Sequence, residues 1–226
     1  MVILSRNYLD VDKETLIELI SFVLARIVKH NDQLHFDSNK LTRFHSRAAP
    51  GITVIDYLNR INKYTNTDPC CLLILLIYID RISTMMPDLT ITSLTVHRFI
   101  ITAITVSSKA LCDVFCTASH YSKVGGLSLN ELNLLEREFL RILDWNLTCE
   151  DQQLQKYYLN LVEGHPNYTL GDFTDQKSSK NVEIMPIKTH SPVESNQIIP
   201  QSRPFVEADI QKQQQQQQQQ QRRRID

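Results

Sequence analysis

Cys70-Cys71-Leu72-Leu73-Ile74-Leu75-Leu76-Ile77-Tyr78-Ile79 is an unbroken apolar run, entered through Asp68-Pro69 and left through Asp80-Arg81. Asp68 suits a helix cap, and Pro69 suits the first turn, where a missing N–H costs nothing. The run is about half as long as a membrane-spanning helix requires. A helix that is apolar on every side must be wrapped by other helices. The stretch therefore predicts a central helix inside a helical core, ending at Pro87.

Helical periodicity extends outward from this run in both directions. Leu16, Leu19, Ile20, Val23 and Ile27 recur at spacings of three and four, which predicts a first helix over about Glu14–Lys29. A polar connection, Asn31 to Gly51, closes on Pro50-Gly51. A second helix opens at Thr53, with Asp56 in the place of a capping-box partner and Ile52 and Tyr57 as its staple. Beyond the central helix, Val96, Phe99, Ala103, Ser107 and Ala110 line one face of a fourth helix over about Thr92–Leu111. Its small residues invite close approach. Ser128 and Glu131 form the capping box of a fifth, Leu127 and Leu132 its staple, and Gly125-Gly126 permit a tight turn before it. A last helix covers about Glu150–Val162. No strand alternation stands out between Asp12 and Glu163. The expectation is an all-α protein: a compact bundle of five core helices with one more at the N-terminus.

After Gly164 the chain changes character. Pro166, Pro186, Pro192, Pro200 and Pro204 are scattered among serines and charges, and Gln213 to Gln221 is an uninterrupted glutamine run. Too little apolar surface is present there to offset the entropy of ordering. We read residues 164–226 as a disordered low-complexity tail, and Arg222-Arg223-Arg224 as its solvated end rather than an import signal.

With 24 basic and 25 acidic residues, the chain has a formal charge of -1, which offers no general attraction to nucleic acid or membrane. Five cysteines and no secretory signal point to reduced thiols in the cytosol or nucleus. Catalytic motifs are missing: the five glycines form no phosphate loop, and no Gly-x-Ser-x-Gly elbow occurs. None of His30, His35, His45, His97, His165 and His190 is paired with a nucleophile at a recognisable spacing. Cys112, Cys116 and His120 lie four apart and would share a face of one straight helix. Asp113-Val114-Phe115 interrupts that region and a fourth ligand is not evident, so neither metal nor cofactor is expected. The residues alone describe an all-helical interaction module of unknown partner, and nothing singles out a catalytic carboxylate pair.

Tyr78-Ile79-Asp80-Arg81, Val106-Ser107-Ser108-Lys109 and Leu134-Leu135-Glu136-Arg137-Glu138-Phe139-Leu140, in that order, resemble the corresponding segments of the cyclin box. A closer likeness is to the phosphate-regulon cyclins, called P- or U-type in plants. It rests on Phe44-His45-Ser46, Pro50, Tyr57-Leu58-Asn59-Arg60-Ile61, Ile91-Thr92-Ser93-Leu94, Val96-His97-Arg98 and Tyr121-Ser122-Lys123-Val124-Gly125-Gly126-Leu127. The resemblance implies an N-terminal helix and linker over residues 1–40 and a single five-helix cyclin box over residues 41–163. It also implies a heterodimer with a cyclin-dependent protein kinase that the chain activates, in phosphate or nutrient signalling or in cell-cycle control. Lys109 and Glu136 match the cyclin residues that reach kinase backbone groups, and Asp113 lies where related cyclins turn acidic residues toward the kinase. Tyr78, Asp80 and Arg81 match structural positions. The arginine that pairs with the motif's aspartate in many cyclins falls near Gly51 here, and Arg60 is the expected substitute partner of Asp80. The Met-Arg-Ala-Ile-Leu docking patch of other cyclins is absent, which argues against recruitment of Arg-x-Leu substrates. A cyclin-fold transcription adaptor and a kinase-binding scaffold that does not activate are the alternatives; a single box without basic excess disfavours the first.

Overall fold

The computed structural model describes residues 1–34 and 41–171. Helices α1 (Lys13–Asn31), α2 (Val54–Thr65), α3 (Pro69–Met85), α4 (Val96–Leu111), α5 (Ala118–Gly125), α6 (Leu129–Ile142) and α7 (Asp151–Glu163) account for most of these residues. A side-chain cap starts five of the seven. The carboxylates of Asp12 and Asp68 accept the backbone N–H groups of Thr15 and Cys70. The hydroxyls of Thr53, Thr117 and Ser128 accept those of Asp56, His120 and Glu131. These bonds satisfy N–H groups that a helix start leaves without partners.

Neither capping box closes in the usual reciprocal way. Asp56, one methylene shorter than glutamate, takes the Thr53 hydroxyl at 2.5 Å, while Glu131 turns to an ion pair with Arg98 of α4. Helix α4 begins at Val96 and not at Thr92, because Thr92–Thr95 forms a separate turn fixed by the Thr95 hydroxyl on the Thr90 carbonyl.

Every residue of α3 from Cys71 to Ile79 is buried. The helix packs against α1, α4 and α7, and α4 packs in turn against α2, α5 and α6. Phe44, Phe99, Phe139 and Tyr78 meet where these elements converge, with Phe139 edge-on to Phe99 at 5.5 Å and to Tyr78 at 5.4 Å. Of the small face expected on α4, Ala103 and Ser107 are buried, but Ala110 is exposed.

Three features differ from expectation. Helix α5 is additional. It ends in a left-handed Gly126 (φ 72°), whose motif closes with Leu127 N–H on the Ser122 carbonyl at 2.8 Å. A Cβ on Gly125 would sit 2.6 Å from Cγ1 of Ile101, so glycine is what lets α5 lie against α4. Also against expectation, residues 165–170, expected in the disordered tail, are ordered, and residues 1–12 are more than a leader to α1. Strand β1 (Val2–Leu4) pairs in parallel with β2 (Tyr168–Leu170). Tyr158 donates to the Ser5 carbonyl, Tyr8 to Asp151 and Tyr168 to Glu18, and buried His165 packs edge-on against Phe22. The glutamine run and the rest of the expected tail, residues 172–226, lie outside the described residues, as does His35.

Candidate functional site

The Tyr78-Ile79-Asp80-Arg81 motif occupies the latter part of α3, and its polar groups reach the chain between α6 and α7. Tyr78 is fully buried; its hydroxyl donates to the Leu147 carbonyl at 2.8 Å, and burial pushes its pKa up. Arg81 donates to the carbonyls of Asn146 (2.8 Å) and Thr148 (2.9 Å). Three successive carbonyls are thus held by two side chains one helical turn apart. Asp80 accepts the Tyr157 hydroxyl of α7. The expected Arg60–Asp80 pair is not made. Arg60 lies on α2, which packs against α5, and its guanidinium reaches the Lys123 carbonyl at 3.5 Å.

The P/U-type signatures knit the segment before α2 onto the bundle. Phe44 is fully buried between Phe99 and Phe139. Ser46 N–H donates to the Leu94 carbonyl, and Arg98 to the Arg43 carbonyl. His97 Nε2 donates to the Ile52 carbonyl at 2.9 Å. Tyr57 donates to the Gly125 carbonyl and stands edge-on to His97. His45 Nδ1 accepts the Thr42 N–H. Burial lowers the pKa of both His45 and His97, with the backbone contacts at Thr42 and Ile52 opposing it. Periodicity alone does not disclose these bonds, because each joins a side chain to a distant backbone group.

Lys109 and Glu136 come together on the surface. Lys109 is in the last turn of α4, beyond buried Ser107 and Ser108, and Glu136 is midway along α6. The ammonium donates to both carboxylate oxygens, at 2.7 and 2.9 Å, and the side chains are 33% and 14% exposed. Two of the three ammonium protons are used, and each carboxylate oxygen keeps lone-pair capacity. Asp113 follows the C-cap of α4 and is exposed, as are Val114 (90%) and Phe115 (50%). These two apolar side chains, read from sequence only as a helix interruption, adjoin the pair's end of α4. An aromatic side chain at an exposed loop is the signal that could have drawn attention to them.

The sequence-spaced metal trio is dispersed. Helix α4 stops at Leu111, Cys116 precedes the Thr117 cap of α5, and His120 bonds the Tyr64 carbonyl. A different trio converges: the Sγ atoms of Cys70, Cys71 and Cys112 all lie within 4.8 Å of one another.

A bundle wrapped round α3, a tyrosine and arginine clamp on the α6–α7 connection, and a lysine–glutamate pair bridging α4 and α6 define a cyclin-type helical module. The cyclin family model matches residues 14–147, more than half of the chain, and the chain belongs to the cyclin family. The match starts within α1, before the sequence-based boundary at residue 41, and ends before α7. Its relatives place it with the PHO85-type and U/P-type cyclins. The chain is 44% identical over 171 residues to the Nuc-1 negative regulatory protein preg of Neurospora crassa, covering 74% of this chain and 35% of that one. It is 40% identical over 170 residues to the PHO85 cyclin PHO80 of Saccharomyces cerevisiae (70% and 58%). Against Cyclin-U4-1 of Arabidopsis thaliana it is 36% identical over 146 residues (63% and 72%). The match thus spans about a third and somewhat over half of the two fungal proteins.

Proposed function

We propose that this chain is the regulatory subunit of a cyclin-dependent kinase of the kind the yeast relatives' names mention. It forms a heterodimer with that kinase in the cytosol or nucleus, activates it, and catalyses nothing by itself. The observation that carries this reading is the Lys109–Glu136 pair. It is preassembled from two helices and part-exposed, with a spare donor, spare acceptor capacity and an exposed apolar loop beside it. Charge-assisted bonds to backbone groups fix orientation without depending on the partner's side chains. Val114 and Phe115 supply apolar contact, and Asp113 an acidic one. Kinase activity requires its β3 lysine to pair with the αC glutamate. A subunit that binds only that arrangement shifts the population toward it, and a near-complete shift takes about 5 kcal/mol of differential binding.

The test is the double variant Lys109→Ala, Glu136→Ala. Removing both partners together leaves no unpaired charge in the part-buried site, so the helical circular dichroism signal and cooperative melt persist. Loss of two central contacts weakens kinase binding by about thirtyfold or more, the equivalent of at least 2 kcal/mol. Calorimetric titration against a PHO85-type kinase reads this directly, and a phosphotransfer assay shows stimulation by the wild-type chain and no activity without the kinase. A folded double variant that binds with wild-type affinity overturns the assignment.

A further inference from the structure

Helix α3 begins with two adjacent cysteines at its second and third positions, and α4 ends on a third at its C-cap. Packing of α3 against α4 brings them together across a sequence separation of 41 residues. Cys71 Sγ is 3.5 Å from Cys112 Sγ and 3.9 Å from Cys70 Sγ. Cys71 is fully buried at the base, while Cys70 and Cys112 are part-exposed at the mouth. We propose that these three cysteines form a metal site for a thiophilic d10 cation, Zn²⁺ or Cu⁺.

The geometry suits a metal better than a disulfide. A zinc–thiolate bond is about 2.3 Å, so two sulfurs of one tetrahedron stand about 3.8 Å apart. Two of the three separations, 3.5 and 3.9 Å, bracket that spacing and the third is within 4.8 Å, whereas a disulfide requires about 2.05 Å. Three sulfurs around one point leave a fourth position on the part-exposed side, open to water for zinc and dispensable for copper(I). The first turn of α3 directs N–H groups and the positive end of its dipole toward Cys70 and Cys71. Binding requires no redox step: the metal forms three metal–sulfur bonds and three thiol protons pass to solvent. The site ties the start of α3 to the end of α4, three residues from Lys109. It does not depend on the kinase reading.

The full chain, purified under reducing conditions, is loaded separately with zinc and with copper(I), desalted and assayed by elemental mass spectrometry. We expect about one equivalent of one of them per folded chain. Substitution with Co²⁺ should give the intense thiolate-to-cobalt charge-transfer absorption. Cys112→Ser, at a part-exposed helix cap that tolerates the change, lowers affinity by at least about tenfold, and Cys149→Ser leaves it unchanged. Three results each overturn the proposal: neither metal retained by the folded, reduced wild type; equal retention by Cys112→Ser; or no charge-transfer band with bound cobalt.

Discussion

Replacing Tyr78 by phenylalanine isolates one hydrogen bond in the cyclin-box motif. The ring is fully buried and edge-on to Phe139, so Tyr78→Phe keeps shape and packing and removes only the hydroxyl. What it abandons is the Leu147 carbonyl, bonded at 2.8 Å. A net hydrogen bond is worth about 1 kcal/mol, and a buried acceptor left alone costs about 1–3 kcal/mol. Leu147 is half-buried, so the expected loss is about 1–2 kcal/mol, a fall in Tm of roughly 2–8 °C for a domain of this size. Urea unfolding followed by circular dichroism measures it, with an unchanged m-value as the check that only stability moved. Arg81 holds the carbonyls on either side of Leu147. Once Arg81→Ala has loosened that segment, Leu147 can turn to water. The double variant should therefore lose less than the sum of the singles by at least about 0.5 kcal/mol. A Tyr78→Phe protein as stable as wild type, or strict additivity with Arg81→Ala, would refute the account of the motif as a clamp on the α6–α7 connection.

Two further predictions follow from the same packing. Gly125→Ala drives a methyl group into Ile101 and should destabilise by about 1–3 kcal/mol; Gly126→Ala meets no atom but is strained at φ 72°, for about 1 kcal/mol. A neutral Gly125→Ala in the same urea assay would contradict the close approach of α5 to α4. Burial depresses the pKa of His97, whose Nε2 donates to Ile52 while Nδ1 is buried without a partner. A proton added at Nδ1 therefore finds no acceptor. The unfolded chain binds protons at the ordinary 6.5 and the folded chain only lower, so stability falls as pH drops below about 6.5. One histidine contributes at most about 1.4 kcal/mol per pH unit. His45 acts in the same direction, so His97→Gln should reduce the slope without abolishing it; an unaltered pH–stability profile would count against the buried neutral tautomer.

Local signals in the sequence were enough for the helices they start and stop. Asp68-Pro69 and Ser128 each mark a helix start that the structure places one residue later, because a cap is a bond between residues two or three apart. The all-round apolarity of Cys70–Ile79 required a central position, since no exposed helix could carry it. Helix α5 escaped because eight residues make barely two turns, too few for an apolar stripe to repeat. On the site side, the family likeness singled out Lys109 and Glu136, which residue types alone could not.

Only the tertiary structure decided what meets across long separations. It joined Lys109 to Glu136, paired β1 with β2, gave Arg60 to Lys123 instead of Asp80, and gathered Cys70, Cys71 and Cys112 in place of Cys112, Cys116 and His120. Helical periodicity says which face a residue occupies, not which face of which other helix lies opposite. That choice belongs to the packing of side chains such as Phe139, Ile101 and the missing side chain of Gly125, whose shapes fix how the helices settle against one another.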